Sequence, residues 1–319
     1  MGLLSYYLGI EVSQELRGIS LKQEGYARKL LEKAGLLDCN PIETPMENNL
    51  ELTKDESGKP VDATEYRSIV GGLRYLCHTR PDISYVVGVV SRFLERPTEQ
   101  HNQAVKRILR YIKGTLNLGL VYTRSKEKKH IIAYSDSNHA RDVNDRRSTS
   151  GMVFYLNKNL VTWSSQKQQC VALSSCEAEF MAANLATCQG IWVRRLVQEI
   201  TGEKLGPVTI LIDNKSTLEL VKHPVFHGRS KHIDTRFHFI RNCIECGDVI
   251  AKFVASMEQQ ADILTKPLAK NKFKEMRNML GMKCWIRKLS KGHVGHFPVS
   301  LGSSNQVVSC FHISSLLVA

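Results

Sequence analysis

The stretch HIIAYSDSNHARDVNDRRSTSGMVFYLNKNLVTW, residues 130–163, decides the fold. Within it 130–134, 151–156 and 160–163 are short runs rich in β-branched and aromatic residues, separated by Asn, Asp, Ser and Gly, and they read as three strands in quick succession. Downstream, helical spacing covers about 174–201, and 208–212 is a strand that runs straight into a helix from 214. A helix over 230–246, a strand over 249–254 and helical sequence from 261 onward complete the order β-β-β-α-β-α-β-α. That order predicts an α/β fold, a mixed sheet with helices on its faces.

Upstream of this unit the rhythm differs. Residues 5–12 alternate (Tyr6, Leu8, Ile10, Val12) and pair with 18–21 as a β-hairpin, and 23–36 is a helix. The segment 39–62 is rich in proline and charge without a period, and it reads as a surface linker. Helices are expected over 63–78, 83–94 and 99–113, punctuated by Pro81 and Pro97 and ended by Gly114. The third is basic (Lys106, Arg107, Arg110, Lys113), which suits either a solvated face or a face turned to a polyanion. From 283 to 319 there is no Asp or Glu, and a disordered or loosely attached tail is expected there.

The 319 residues hold 44 Lys plus Arg against 31 Asp plus Glu, a formal net charge of +13. Such an excess favours a polyanionic partner, nucleic acid first, although a basic surface without function has the same composition. Nine scattered cysteines form no framework and favour a reducing compartment. Cys243-Ile-Glu-Cys246 is a lone C-x-x-C, short of the four ligands that structural zinc needs. No signal peptide and no membrane span is legible, so an intracellular protein without a membrane partner is expected, in a cytoplasmic particle or the nucleus.

Phosphodiester hydrolysis by two metal ions needs several carboxylates converging on one point, and hard cations such as Mg²⁺ choose oxygen ligands. Asp136 follows Ile131-Ile-Ala-Tyr-Ser on one strand face with Ile132 and Tyr134; a plain turn aspartate is the alternative. Asp213 closes Val208-Thr-Ile-Leu-Ile, at the carboxyl end of a strand where ligands collect, and could equally cap the following helix. On the long helix, 100° per residue places Glu179 with Ala183, Ala186, Gly190 and Val197, a small-residue face able to approach a sheet. Glu177 falls nearly opposite, beside Asn184 and Arg195, and is expected to point at water. Asp262 opens the last helix, where an acidic residue is favoured in any protein.

These residues sit in motifs that resemble a known family. Tyr134-Ser-Asp-Ser, Asp145-Arg-Arg-Ser-Thr-Ser-Gly, Val171-Ala-Leu-Ser-Ser-Cys-Glu-Ala-Glu-Phe, Ile212-Asp-Asn-Lys-Ser, Ser230-Lys-His-Ile-Asp and Ala261-Asp-Ile-Leu-Thr-Lys-Pro-Leu resemble, in order, the ribonuclease H domain of copia-type retrotransposon Pol polyproteins. Tyr7-Leu-Gly-Ile-Glu-Val, Thr44-Pro-Met, Ile69-Val-Gly-Gly-Leu-Arg-Tyr-Leu and Thr79-Arg-Pro-Asp-Ile resemble the end of that family's reverse transcriptase and its connection segment. The resemblance implies a ribonuclease H-like mixed sheet with flanking helices, preceded by a small α+β/helical remnant of the reverse transcriptase. It divides the chain into a reverse-transcriptase remnant (1–46), a linker and helical connection segment (47–117), a ribonuclease H-like domain (118–282) and an unrelated tail (283–319).

By the same resemblance Asp136, Glu179, Asp213 and Asp262 are the catalytic, metal-binding set. They would hold two Mg²⁺ ions, with Mn²⁺ able to substitute, and cut the RNA strand of an RNA–DNA hybrid without any small-molecule cofactor. Arg146, Arg147, Lys231 and His232 are candidate nucleic-acid contacts, and His232 or His238 could assist product release, although surface histidines are commoner. Asn138 and His139 stand where the family has Asp and Trp, and Cys176 where it has Thr. The family's polymerase carries a Tyr-x-Asp-Asp turn, and no two adjacent aspartates occur here, so neither a competent reverse transcriptase nor the remainder of the polyprotein is expected. The alternative is an inactive nucleic-acid-binding remnant that keeps the fold.

Overall fold

Alternating apolar residues build the opening strands of the computed structural model, which describes residues 3–16, 18–48, 50–54, 58–222 and 231–284, with backbone alone for 231–237. β1 (Tyr6–Tyr7), β2 (Ile10–Glu15) and β3 (Gly18–Lys22) run antiparallel, with Ile10 and Val12 turned inward. α1 (Glu24–Lys33) follows and buries Ala27, Leu30 and Leu31. α2 (Ala63–Leu76) starts where the Asp62 carboxylate accepts the Thr64 and Glu65 N–H groups, donors that the first turn cannot satisfy itself. α3 (Ser84–Val90) and α4 (Glu99–Lys113) complete a helical layer.

β4 (Leu118–Thr123) then returns to β3, while β5 (Ile131–Asn138), β6 (Thr149–Leu156) and β7 (Asn159–Lys167) form an antiparallel meander. The long α5 (Ser175–Thr201) leads to β8 (Val208–Ile212), α6 (Lys215–Lys222), α7 (Lys231–Glu245) and β9 (Val249–Phe253). A 3-10 turn (Gln260–Leu264), α8 (Lys270–Met279) and β10 (Met282–Cys284) end the described chain.

Two five-stranded sheets result, in the orders β1-β2-β3-β4-β10 and β7-β6-β5-β8-β9. In the second sheet β5 pairs antiparallel with β6 and parallel with β8, which pairs parallel with β9. This mixed sheet with α5 laid across it is the ribonuclease H-like architecture the sequence predicts. The small-residue face of α5 explains the close approach. A Cβ on Gly190 would stand 3.0 Å from Val208 Cγ1 and 3.3 Å from the Phe154 ring, so even alanine there would need those two side chains to give by a few tenths of an ångström.

Several expectations change. The segment 39–62 is not a loose surface linker: Met46 and Leu52 are buried in the same core as α1–α4, because isolated apolar side chains can anchor a segment that has no periodicity. Two cations of α4 hold it down, Arg107 on Glu47 Oε1 at 2.6 Å and Arg110 on the Asn40 carbonyl at 2.9 Å, so the basic face is partly committed within the chain. β4, from within 118–282, and β10, which starts at the last residue of that range, complete the first sheet and not the second. The helix expected from 261 is a 3-10 turn, with α8 starting only at Lys270 beyond Pro267, whose ring and missing N–H oppose a continuous helix. The tail expected from 283 has its first two residues in β10, and 285–319 lie outside the described residues.

The core of the first sheet and helical layer also takes in Val153, Tyr155 and Leu160 of the second sheet, together with Ile263, Leu264 and Phe273. The 3-10 turn is therefore wedged between the two units. No helix among the described residues is long and apolar enough to cross a membrane.

Candidate active site

β5 brings the first carboxylate in. The strand runs to Asn138, so Asp136 lies inside it and not in a turn beyond its end, and it is 4 % exposed. A carboxylate so placed needs partners. Thr265 Oγ donates to Asp136 Oδ2, and Lys266 Nζ stands 3.9 Å from the same oxygen. Opposite Asp136 across the ladder is Gly151, and a Cβ there would meet Thr265 Cγ2 at 2.6 Å and the Ala261 carbonyl at 3.0 Å. Glycine at 151 is what lets the 3-10 turn settle onto the sheet beside Asp136.

Asp213 arrives from the end of β8. Asn214, not Asp213, caps α6, its Oδ1 accepting the Thr217 N–H at 3.0 Å, which leaves the aspartate free of that duty. Gln259 Nε2 donates to Asp213 Oδ1 at 3.2 Å and to the Ser135 carbonyl at 2.9 Å, tying β8 to β5. Asp262 comes from the 3-10 turn, where Lys266 Nζ lies 2.8 Å from its Oδ1. Oxygens of Asp136, Asp213 and Asp262 all lie within 4.8 Å of one another, spacing that suits ligands of a shared divalent cation.

Glu179 lies beside this trio without being counted in it. Its Oε1 accepts from Asn214 Nδ2 at 3.1 Å, and its Oε2 is buried without a protein partner. Burial, with Asp213 and Asp136 adding repulsion, pushes its carboxyl up to about 8. Burial and the neighbouring Asp136 push Asp262 up to about 7. Lys266 carries the opposite charge: burial disfavours it, but Asp136, Asp262 and Asp213 outweigh that and raise its pKa. An orphaned carboxylate oxygen facing crowded like charges fits a divalent cation well.

The raised carboxyls have a pH consequence. Because both take up protons more readily folded than unfolded, the native state holds the extra protons between about pH 4 and 8, and stability falls as pH rises through that window. Urea midpoints measured in EDTA should decline from about pH 5 to about pH 8, and divalent metal should reverse the decline.

Glu177 does not simply point at water. Its Oε2 accepts the Leu173 N–H at 2.9 Å while its own N–H donates to Ser174 Oγ at 3.1 Å, so it caps α5. Arg146 and Arg147 are exposed in the loop between β5 and β6, Arg146 in the left-handed region with φ of 57°. Lys231 opens α7, and the side chains of Lys231 and His232 lie outside the described residues. His238 is exposed on α7. Cys243 is buried and Cys246 exposed, and among the described residues neither joins a group able to hold a metal.

Sequence reasoning missed Gln259, Thr265 and Lys266. All flank Asp262, and the signal was their density of hydrogen-bonding groups around an acidic residue in a short apolar segment. Asn138 also acts here, its Oδ1 accepting the Thr149 N–H at 2.6 Å and its Nδ2 donating to the Thr265 carbonyl.

Comparison with known proteins places the chain. The family model described as reverse transcriptase (RNA-dependent DNA polymerase) matches residues 1–48. The Retrovirus-related Pol polyprotein from transposon RE1 of Arabidopsis thaliana is 40% identical over 88% of the chain, which covers 19% of that polyprotein. The corresponding protein from transposon TNT 1-94 of Nicotiana tabacum is 36% identical over 88% of the chain, which covers 22% of it. The chain thus spans about a fifth of the length of these relatives. Among solved structures, LC11-RNase H1 matches 43% of the chain and 94% of its own at 16% identity, with a TM-score of 0.34.

Proposed function

As the chain belongs to the family of copia-type retrotransposon Pol polyproteins, we propose that its second sheet carries a two-metal ribonuclease H that cuts the RNA strand of RNA–DNA hybrids. The observation that supports this reading is the meeting of Asp136, Asp213 and Asp262, from three separate segments, within 4.8 Å. Asp136, Asp213, Asp262 and Glu179 are the residues to hold Mg²⁺ or Mn²⁺. When bound, the ions supply an activated water and stabilise the leaving oxygen, giving a 3′-hydroxyl and a 5′-phosphate. Thr265 and Gln259 fix the orientation of Asp136 and Asp213. Arg146 and Arg147 hold the backbones, so affinity for hybrid falls with salt. RNA is told from DNA by its 2′-hydroxyls in the shallow minor groove.

The test is the purified chain on an end-labelled hybrid with Mg²⁺ or Mn²⁺. Cut RNA and intact duplex DNA support the proposal. Salt-dependent binding with uncut RNA would transfer the case to an inactive binding remnant. Primer extension is expected to be nil on any template, since no adjacent aspartate pair occurs in the chain.

The two glutamates of α5 separate by role. Glu179→Gln should remove most cleavage, because its carboxylate faces the site. Glu177→Gln should leave cleavage near that of the parent and cost about 1 kcal/mol of stability through the weakened cap. Equal losses of activity in both would sink this assignment.

A further inference from the structure

We propose that Lys266 is a built-in counter-cation of the carboxylate site, holding the place of a divalent ion in the metal-free protein and yielding it when metal binds. The inference rests on the metal-site reading above. Lys266 follows Asp262 by four residues, just past the 3-10 turn that bears that carboxylate, and its backbone N–H donates to the Asp262 carbonyl at 3.1 Å, which ties the ammonium's stem to the turn. It lies 2.8 Å from Asp262 Oδ1 and 3.9 Å from Asp136 Oδ2, between two of the three carboxylates that converge.

A divalent ion bound by Asp136 and Asp262 needs the oxygens that the ammonium faces. The two cations cannot share them: like charges at that separation repel strongly in a partly dehydrated site. Metal entry therefore displaces the lysine head, and its four-carbon stem is long enough to swing without moving the turn. Thr265 keeps its own bond to Asp136 Oδ2, which holds that carboxylate in place while the ammonium leaves.

The consequence is a compromise. The tethered ammonium offsets the repulsion among the carboxylates and stabilises the fold without metal. It also competes with metal, so the apparent affinity of the parent chain is lower than that of a site with the same carboxylates and no ammonium.

Mn²⁺ alone is the probe, titrated calorimetrically into the full chain and into Lys266→Met and Lys266→Gln. Both variants should bind Mn²⁺ roughly tenfold more tightly than the parent, melt lower in EDTA, and gain more in melting temperature when Mn²⁺ is added. Lys266→Arg, which keeps the charge, should stay near the parent affinity. Should the neutral variants not fold without metal, the parent chain still decides the matter. Acylation of its Lys266 amine, read by peptide mass spectrometry, should increase when Ca²⁺ is added. Equal or weaker Mn²⁺ binding in the neutral variants, or Lys266 labelling unchanged by Ca²⁺, would overturn the proposal. Metal binding that follows the predicted order in a chain that leaves hybrid uncut would sink the nuclease reading alone. No Mn²⁺ binding to any form would sink both.

Discussion

Asp136→Asn and Asp213→Asn should each abolish hybrid cleavage while leaving a folded chain that still binds hybrid. If the site holds two cations as proposed, each substitution removes one charged ligand from it, and several kcal/mol of transition-state stabilisation would go with that ligand, so a loss of about 10³-fold is expected. The amide is nearly isosteric, and its oxygen can still accept the Thr265 hydroxyl, so the change at position 136 has little reason to unfold β5. Stability should move opposite to activity. Three carboxylates within 4.8 Å repel, and neutralising one relieves the other two, so Asp136→Asn should melt higher than the parent chain in EDTA and gain less from Mg²⁺. Activity lost together with EDTA stability would instead mean that Asp136 serves the fold.

That opposition of stability and activity bears on what the sequence could disclose. Carboxylates at strand ends and on a helix face of small residues are costly unless they have a use, and so they stand out as anomalies against the local pattern. Glu179 can be chosen over Glu177 because 100° per residue is a strong constraint over a 27-residue helix. The capping of α5 by Glu177 is open to view as well, since Ser174 precedes it by three residues, but the same spacing also suits a glutamate that faces water.

Other parts have no local signature. β10 is three residues long and finds its place by pairing Met282–Cys284 with Leu118–Leu120, strands far apart in sequence whose contact no periodicity reports. Met46 and Leu52 are single apolar residues in a polar segment, and only the tertiary surface that receives them shows that the segment is packed. Thr265 and Lys266 look like ordinary polar residues after a helix start. Their meaning depends on Gly151 across the gap, which leaves room for the turn to bring them against Asp136.

Asp82→Ala should destabilise the chain by about 3–5 kcal/mol, because it strands a buried guanidinium. Arg80 and Asp82 are 3 % and 1 % exposed. They pair at two points, Nε to Oδ1 at 2.9 Å and Nη2 to Oδ2 at 2.8 Å, and Tyr111 donates its hydroxyl to Asp82 Oδ2 at 2.6 Å. Arg80 also reaches the Thr115 carbonyl at 3.1 Å and Thr115 Oγ1 at 2.8 Å. Burial would raise the Asp82 carboxyl, but Arg80 first, then the Tyr111 hydrogen bond and Arg277, bring it below the ordinary range. A carboxyl lowered in the folded state stabilises above its unfolded pKa of about 4, and that contribution is lost as pH falls below it. The network joins the start of α3 to α4, and Arg277 Nη1 carries it on to α8 through the Tyr111 hydroxyl at 3.0 Å. α8 and the turn bearing Asp262 share one apolar core with these helices, through Ile263, Leu264 and Phe273. Asp82→Ala should therefore lower the melting temperature by on the order of 10 °C and reduce metal binding at the distant carboxylates as the turn loosens. Replacing Arg80 and Asp82 together by Met and Leu should restore much of the stability, since no charge is then left unpaired. A double replacement as unstable as Asp82→Ala alone would show that the ion pair itself, and not the avoidance of a stranded charge, holds the helical layer to the turn.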